Sequence, residues 1–198
     1  MAERSSVSVM PISHSARNVR HETATDDPLA EVMNRARALI GIWEAKDLGA
    51  ATVRDLCRYA AALGDVGYLE RARRDATAGR PVAAPPMYLS SILSWEDGPV
   101  ENDLHADGLT AAESPCTQGL PVSQVHGGQS VRLGRQLYAG QQVRAERAVT
   151  SAERKQGRSG PFVVLGLTTR FLCQDGVEFA VVDETIIVRE HPLSQRVR

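Results

Sequence analysis

Apolar residues recur at helical spacing twice in the first third of the chain and at alternate positions in the last third. From Asp27-Pro28 onward, Leu29, Val32, Met33, Ala36, Leu39 and Ile40 fall on one helical face until Gly41. Asp27 suits an N-cap, and Pro28 suits the first helical position, where a missing N–H costs nothing; the pattern predicts a short amphipathic helix. Thr52 with Asp55 three residues on reads as a variant capping box. Its apolar stripe runs through Val53, Leu56, Cys57, Ala60 and Leu63 and stops at Gly64, which predicts a second helix.

From about 80 to 128 the chain is rich in Pro and Gly. Met87, Tyr88, Leu89, Ile92, Leu93 and Trp95 form one apolar stretch there, expected to be a third helix followed by a long loop. From 129 onward the period changes to two. Val143 to Val149 fits a strand, and the segment 161 to 173 alternates Val163, Leu165, Leu167, Thr169 and Phe171 against a more mixed face. Gly157-Arg158-Ser159-Gly160 would join strands 142–154 and 161–173, and Asp175-Gly176 would turn the chain into a returning strand, Val177 to Val188. Helices first and an antiparallel meander afterwards predict an α+β domain in which a curved sheet wraps a central helix. Residues 1–26 carry no apolar periodicity and are expected to be a disordered tail, with a single domain over 27–190 and a C-terminal tail over 191–198.

Composition narrows the partners. A chain of 198 residues with 42% hydrophobic content buries one sizeable core, and a net charge of −1 gives no field to steer it to nucleic acid or an anionic membrane. No apolar run approaches the roughly 20 residues needed to span a bilayer, and the N-terminus lacks the apolar core of a signal peptide; a cytoplasmic protein is expected. Cys57, Cys116 and Cys173 are too widely spaced to read as a metal-binding pair or a disulfide framework. His14, His21, His105 and His191 lack ligand spacing, and neither a phosphate-binding loop nor a nucleophile elbow is present, so neither metal nor cofactor is expected.

Several local matches in a consistent order, across about residues 36–190, carry a family resemblance. Arg58-Tyr59-Ala60-Ala61-Ala62-Leu63-Gly64-Asp65 resembles the helix-to-Gly-Asp segment of MaoC-type hydratases, and Val82-Ala83-Ala84-Pro85-Pro86-Met87-Tyr88-Leu89 resembles the Ala-Pro-Pro segment of their fatty-acid-synthase-related branch. His126-Gly127-Gly128-Gln129, then Leu137-Tyr138-Ala139-Gly140-Gln141, is similar to that branch's His-Gly-Gly element and the strand entering its Gly-Asp turn, with Gln141 in place of the acid. Glu153 to Val164 resembles its basic, Gly-flanked hairpin, with mesaconyl-thioester hydratases the nearest likeness. The resemblance implies a hot-dog fold and the N-terminal dehydratase half of such synthases.

It also implies chemistry. Hydrating an enoyl thioester requires a base for water, an acid for the α-carbon and donors for the developing enolate oxygen. MaoC-type sites use the Asp and His of Gly-Asp-x-Asn-Pro-x-His together with a backbone N–H at the start of the next helix. The corresponding stretch here is Gly64-Asp65-Val66-Gly67-Tyr68-Leu69-Glu70, so Asp65 matches the Asp and Glu70 takes the position of the His. The two could still divide acid and base work if repulsion and burial separated their pKa values. At the oxyanion position stand Pro85-Pro86, and proline has no N–H, leaving Met87 as the nearest donor. The resemblance therefore implies either a hydro-lyase acting on acyl-CoA or acyl-carrier-protein thioesters, or a non-catalytic acyl-binding half paired with an intact hot dog as a heterodimer. A homodimer with an altered site, a hot-dog thioesterase and a hot-dog enzyme repurposed for specialised-metabolite chemistry are the other readings. Pro86, Met87, Tyr88, His126, Gly127 and Gly128 are the candidate substrate-binding residues. His126-Gly127-Gly128 reads as a turn that either closes over the thioester or is structural, Tyr88 and Trp95 as pocket wall or core, and Arg154, Lys155 and Arg158 as a phosphate grip or a solvated hairpin.

Overall fold

In the computed structural model, residues 27–85, 87–91, 101 and 116–190 are described. The expected tails, Pro86 and Trp95 lie outside them. The first predicted helix is α1 (Pro28–Leu39), capped as expected: Asp27 Oδ1 accepts from Ala30 N at 2.9 Å. The same carboxylate takes the Arg154 guanidinium at 2.6 Å, which latches the helix start to the sheet. That bond holds the Asp27 carboxyl below the ordinary range.

The capping box at Thr52 and Asp55 opens α2 (Val53–Ala62). Its end is a Schellman turn: Gly64 sits at φ +72°, Gly64 N donates to Ala61 O at 3.1 Å and Asp65 N to Ala60 O at 2.9 Å. A helix that the hydrophobic pattern did not reveal follows at once, α3 (Val66–Thr77). Only Tyr68 and Ala72 of it are buried, too thin an apolar stripe to stand out in the sequence. Of the expected third helix, the described part is α4 (Tyr88–Ser91).

Five antiparallel strands, β1 (Glu44–Ala50), β2 (Val122–Leu133), β3 (Gln142–Gly157), β4 (Gly160–Leu172) and β5 (Glu178–Glu190), form one sheet in the order β1-β3-β4-β5-β2. The predicted β3–β4–β5 meander is its centre, and β3 runs three residues beyond the expected 154. The Asp175-Gly176 turn is wider than a two-residue hairpin: Cys173 N donates to Val177 O and Gly176, at φ +80°, closes a three-residue loop. Two expectations are corrected. The long loop does not extend to 128, since β2 begins at Val122, and His126-Gly127-Gly128 is strand with a bulge rather than a turn. Both edge strands are polar and solvent-facing, so neither carries the alternation that a half-buried strand shows.

Inward residues of the sheet meet helices at both ends. Leu29, Val32, Met33 and Ala36 of α1 pack on Val149, Val163, Leu165, Leu167 and Val188. Leu56 and Ala60 of α2, Tyr68 and Ala72 of α3, and Tyr88 and Leu89 of α4 pack with Phe171, Phe179 and Val182 at the other end. This is the α+β hot-dog architecture the sequence predicted, an antiparallel curved sheet packed on helices.

Candidate functional site

Asp65 lies at the corner between α2 and α3, where one residue serves both helices. Its backbone N–H closes the α2 turn, and its Oδ1 caps α3 by accepting from Tyr68 N at 2.9 Å. The side chain is exposed, as is Glu70 one turn along α3. The carboxylate of Asp65 is thus engaged as the cap of a helix N-terminus.

Tyr68 ties that corner to the next segment: its hydroxyl donates to Ala83 O at 2.7 Å. Residues 82–84 in turn run antiparallel to 137–139, with Ala84 N to Leu137 O and Ala139 N to Val82 O both at 2.8 Å. Tyr88 is buried in the core, edge-on against Tyr59 with ring centroids 5.4 Å apart. Burial pushes both the Tyr68 and the Tyr88 phenols up to about 12.

Met87 enters α4 in the left-handed region at φ +66°, a conformation that glycine adopts freely and a β-carbon resists. It is half-exposed at the mouth of a cavity of about 130 Å³ lined with Pro85, Leu89, Leu133 and Phe179. Pro86 lies outside the described residues. His126, Gly127 and Gly128 lie on edge strand β2, whose last residue, Leu133, lines this cavity. A β-carbon at Gly127 would come within 3.1–3.2 Å of Thr185 and Ile187, so the bulge packs tightly on β5. His126 is half-exposed, with Nε2 3.4 Å from Glu184 Oε1.

Glu184 is the residue that pattern reading missed. It occupies an inward register of β5 between Val182 and Ile186, is 9% exposed, and has Arg147 Nη2 3.6 Å from Oε2. The signal was in the sequence: Ala180, Val182, Ile186 and Val188 are apolar, and one carboxylate interrupts them. On the basic hairpin, Arg154 is held by Asp27 and Lys155 by Glu153 at 3.0 Å, which leaves the solvated-hairpin reading the simpler one.

A family model described as FAS1-like, dehydratase domain region, matches residues 38–182. No curated protein matches the sequence. Among solved structures, the ChsH1-ChsH2 complex from Mycobacterium tuberculosis superposes with a TM-score of 0.58 at 18% identity, over 82% of this chain and 90% of that one. An (R)-hydratase from A. caviae involved in PHA biosynthesis gives 0.47 at 21% identity, over 77% and 96%. A C-terminally truncated HadBC (3R-hydroxyacyl-ACP dehydratase) complex from M. tuberculosis gives 0.49 at 13%, over 75% and 96%.

Proposed function

Because this chain belongs to the FAS1-like dehydratase-region family, the MaoC-like hot dogs, we propose that it binds an acyl thioester as one subunit of a hydratase or dehydratase. The thioester is carried on coenzyme A or a carrier protein, and a second hot-dog subunit completes the catalytic site. The observation that carries the division of labour is Asp65. The family's acid position is present but its carboxylate caps α3 in solvent, and Glu70, in place of the His, is equally exposed. Neither carboxylate has the burial that would tune a pair for acid and base work.

Edge strand β2 supports the subunit reading. Twelve residues long, it exposes Val125 and Leu133 and ends the sheet among the described residues, and an edge of that kind is a template for another chain. The ChsH1-ChsH2 structure is a complex, which accords with a hot-dog partner here, either a different chain or a second copy. No helix among the described residues is long and apolar enough to cross a membrane.

The test is to incubate the purified chain with crotonyl-CoA and longer or branched enoyl-CoAs and follow the conjugated enoyl absorbance. The expected result is thioester binding without turnover. Hydration by the chain alone that vanishes in Asp65→Asn, a change that keeps the cap and removes the charge, would make it an autonomous enzyme instead.

A further inference from the structure

The cavity at Met87 begins where the Asp65 corner ends. Tyr68 of α3 donates to Ala83 O, and the next residue, Ala84, already lines the cavity. Its floor is carbon: Ala84, Leu89, Leu137 and Phe179 line it and all are buried. Backbone carbonyls that would otherwise put polar atoms there are taken, since Gln136 Nε2 donates to Ala84 O at 3.0 Å and to Leu137 O at 2.9 Å. An apolar hollow of this kind suits hydrocarbon rather than water.

One wall is fixed by backbone. Gly134 N donates to Phe179 O at 2.8 Å and Arg135 N to Glu178 O at 2.9 Å, and a β-carbon at Gly134 would stand 2.3 Å from Glu178 O. Backbone meets backbone there, so no side chain can turn aside to lengthen the space. The Arg135 guanidinium lies over the Phe179 ring, 5.4 Å from its centroid, and is tied to Asp175 at 3.1 Å. The cavity volume is about 130 Å³. A dry cavity of roughly 150 Å³ holds a benzene ring, so about five carbon atoms fill this one.

We propose that this cavity takes the acyl chain of the thioester and limits it to short groups of about six carbons, counting the carbonyl, with Leu89 and Ala84 setting the limit. The inference rests on the acyl-thioester reading above and names the substrate class within it. Each methylene that enters the cavity leaves water for carbon and tightens binding about fourfold. The first that finds no room must fold back into the mouth or force the wall, and affinity falls.

The experiment is titration of the full-length chain, followed by NMR, with acetyl-, butyryl-, hexanoyl-, octanoyl- and decanoyl-pantetheine, which carry the part that coenzyme A and a carrier protein share. In the wild type, affinity is expected to rise about tenfold or more from acetyl to butyryl, to peak at butyryl or hexanoyl, and to fall again by decanoyl. Leu89→Ala, which removes three carbons from the floor, should move the peak to a longer chain, and Ala84→Val, which adds two, to a shorter one. Affinity that stays level or keeps rising through decanoyl would overturn the length limit and leave the acyl-thioester reading intact. A peak that Ala84→Val leaves in place would overturn the assignment of this cavity. Absence of binding by every thioester would overturn both readings. Should Leu89→Ala fail to fold by circular dichroism, the wild-type series and Ala84→Val decide the matter alone.

Discussion

Asp65 shows how one side chain can carry a family signature and a structural duty at once. As the N-cap of α3 it accepts from Tyr68 N, so Asp65→Ala should cost about 1 kcal/mol of stability, while Asp65→Asn or Asp65→Ser should cost little. Glu70→Gln, at an exposed position within the helix, should change stability by less than about 0.5 kcal/mol. Urea titration of the three Asp65 variants and Glu70→Gln checks the contrast; an equal loss for Asp65→Asn and Asp65→Ala would mean the carboxylate acts by its charge, not its capping geometry. At this scale the sequence was legible where a residue type has one strong local use, as with Asp27, Thr52 and Gly64. Glu184 was not recognised, because its meaning comes from the register of β3, β4 and β5, which brings it beside Arg147.

Among the elements, α1, α2 and the central strands were readable because each buries one clear face, and periodicity records burial. α3, β1 and β2 were not. β1 reads Glu44-Ala45-Lys46-Asp47 with only Leu48 buried, and its pairing with β3 rather than its own pattern makes it a strand. The helical layer has a pH signature of its own. Tyr68 and Tyr88 are held protonated by burial, with folded values of about 12 against an ordinary 10.0. Both pKa values are raised on folding, so their contribution is fully present below pH 10 and is lost as pH rises through 12. Circular dichroism should therefore follow an alkaline transition in this window, and Tyr88→Phe, which removes one of the two phenols without emptying the core, should move it to higher pH.

At the scale of the whole molecule, the order β1-β3-β4-β5-β2 puts the most regular strands in the centre and leaves two polar edges. The central meander supplies the rigid surface and the edges face what lies outside the chain, β2 offering twelve residues for augmentation. If the proposed second hot-dog subunit docks on β2, sedimentation of the chain with it, or alone if that subunit is a second copy, should show association that Val125→Lys weakens at least tenfold. A charge at an exposed edge position opposes strand pairing without touching the core, so the thermal midpoint of the isolated variant should stay unchanged.

The left-handed backbone at Met87 sets stability against activity. A residue with a β-carbon held at φ +66° stores about 1 kcal/mol or more, which Met87→Gly would release. On the proposed acyl-thioester reading, the glycine variant should melt at a higher temperature and yet hold acyl thioesters less tightly, because it loses a side chain that lines the cavity of about 130 Å³. Selection for heat resistance alone would then drift towards glycine at this position, and a methionine kept there would mark a chain whose fitness is measured by its ligand.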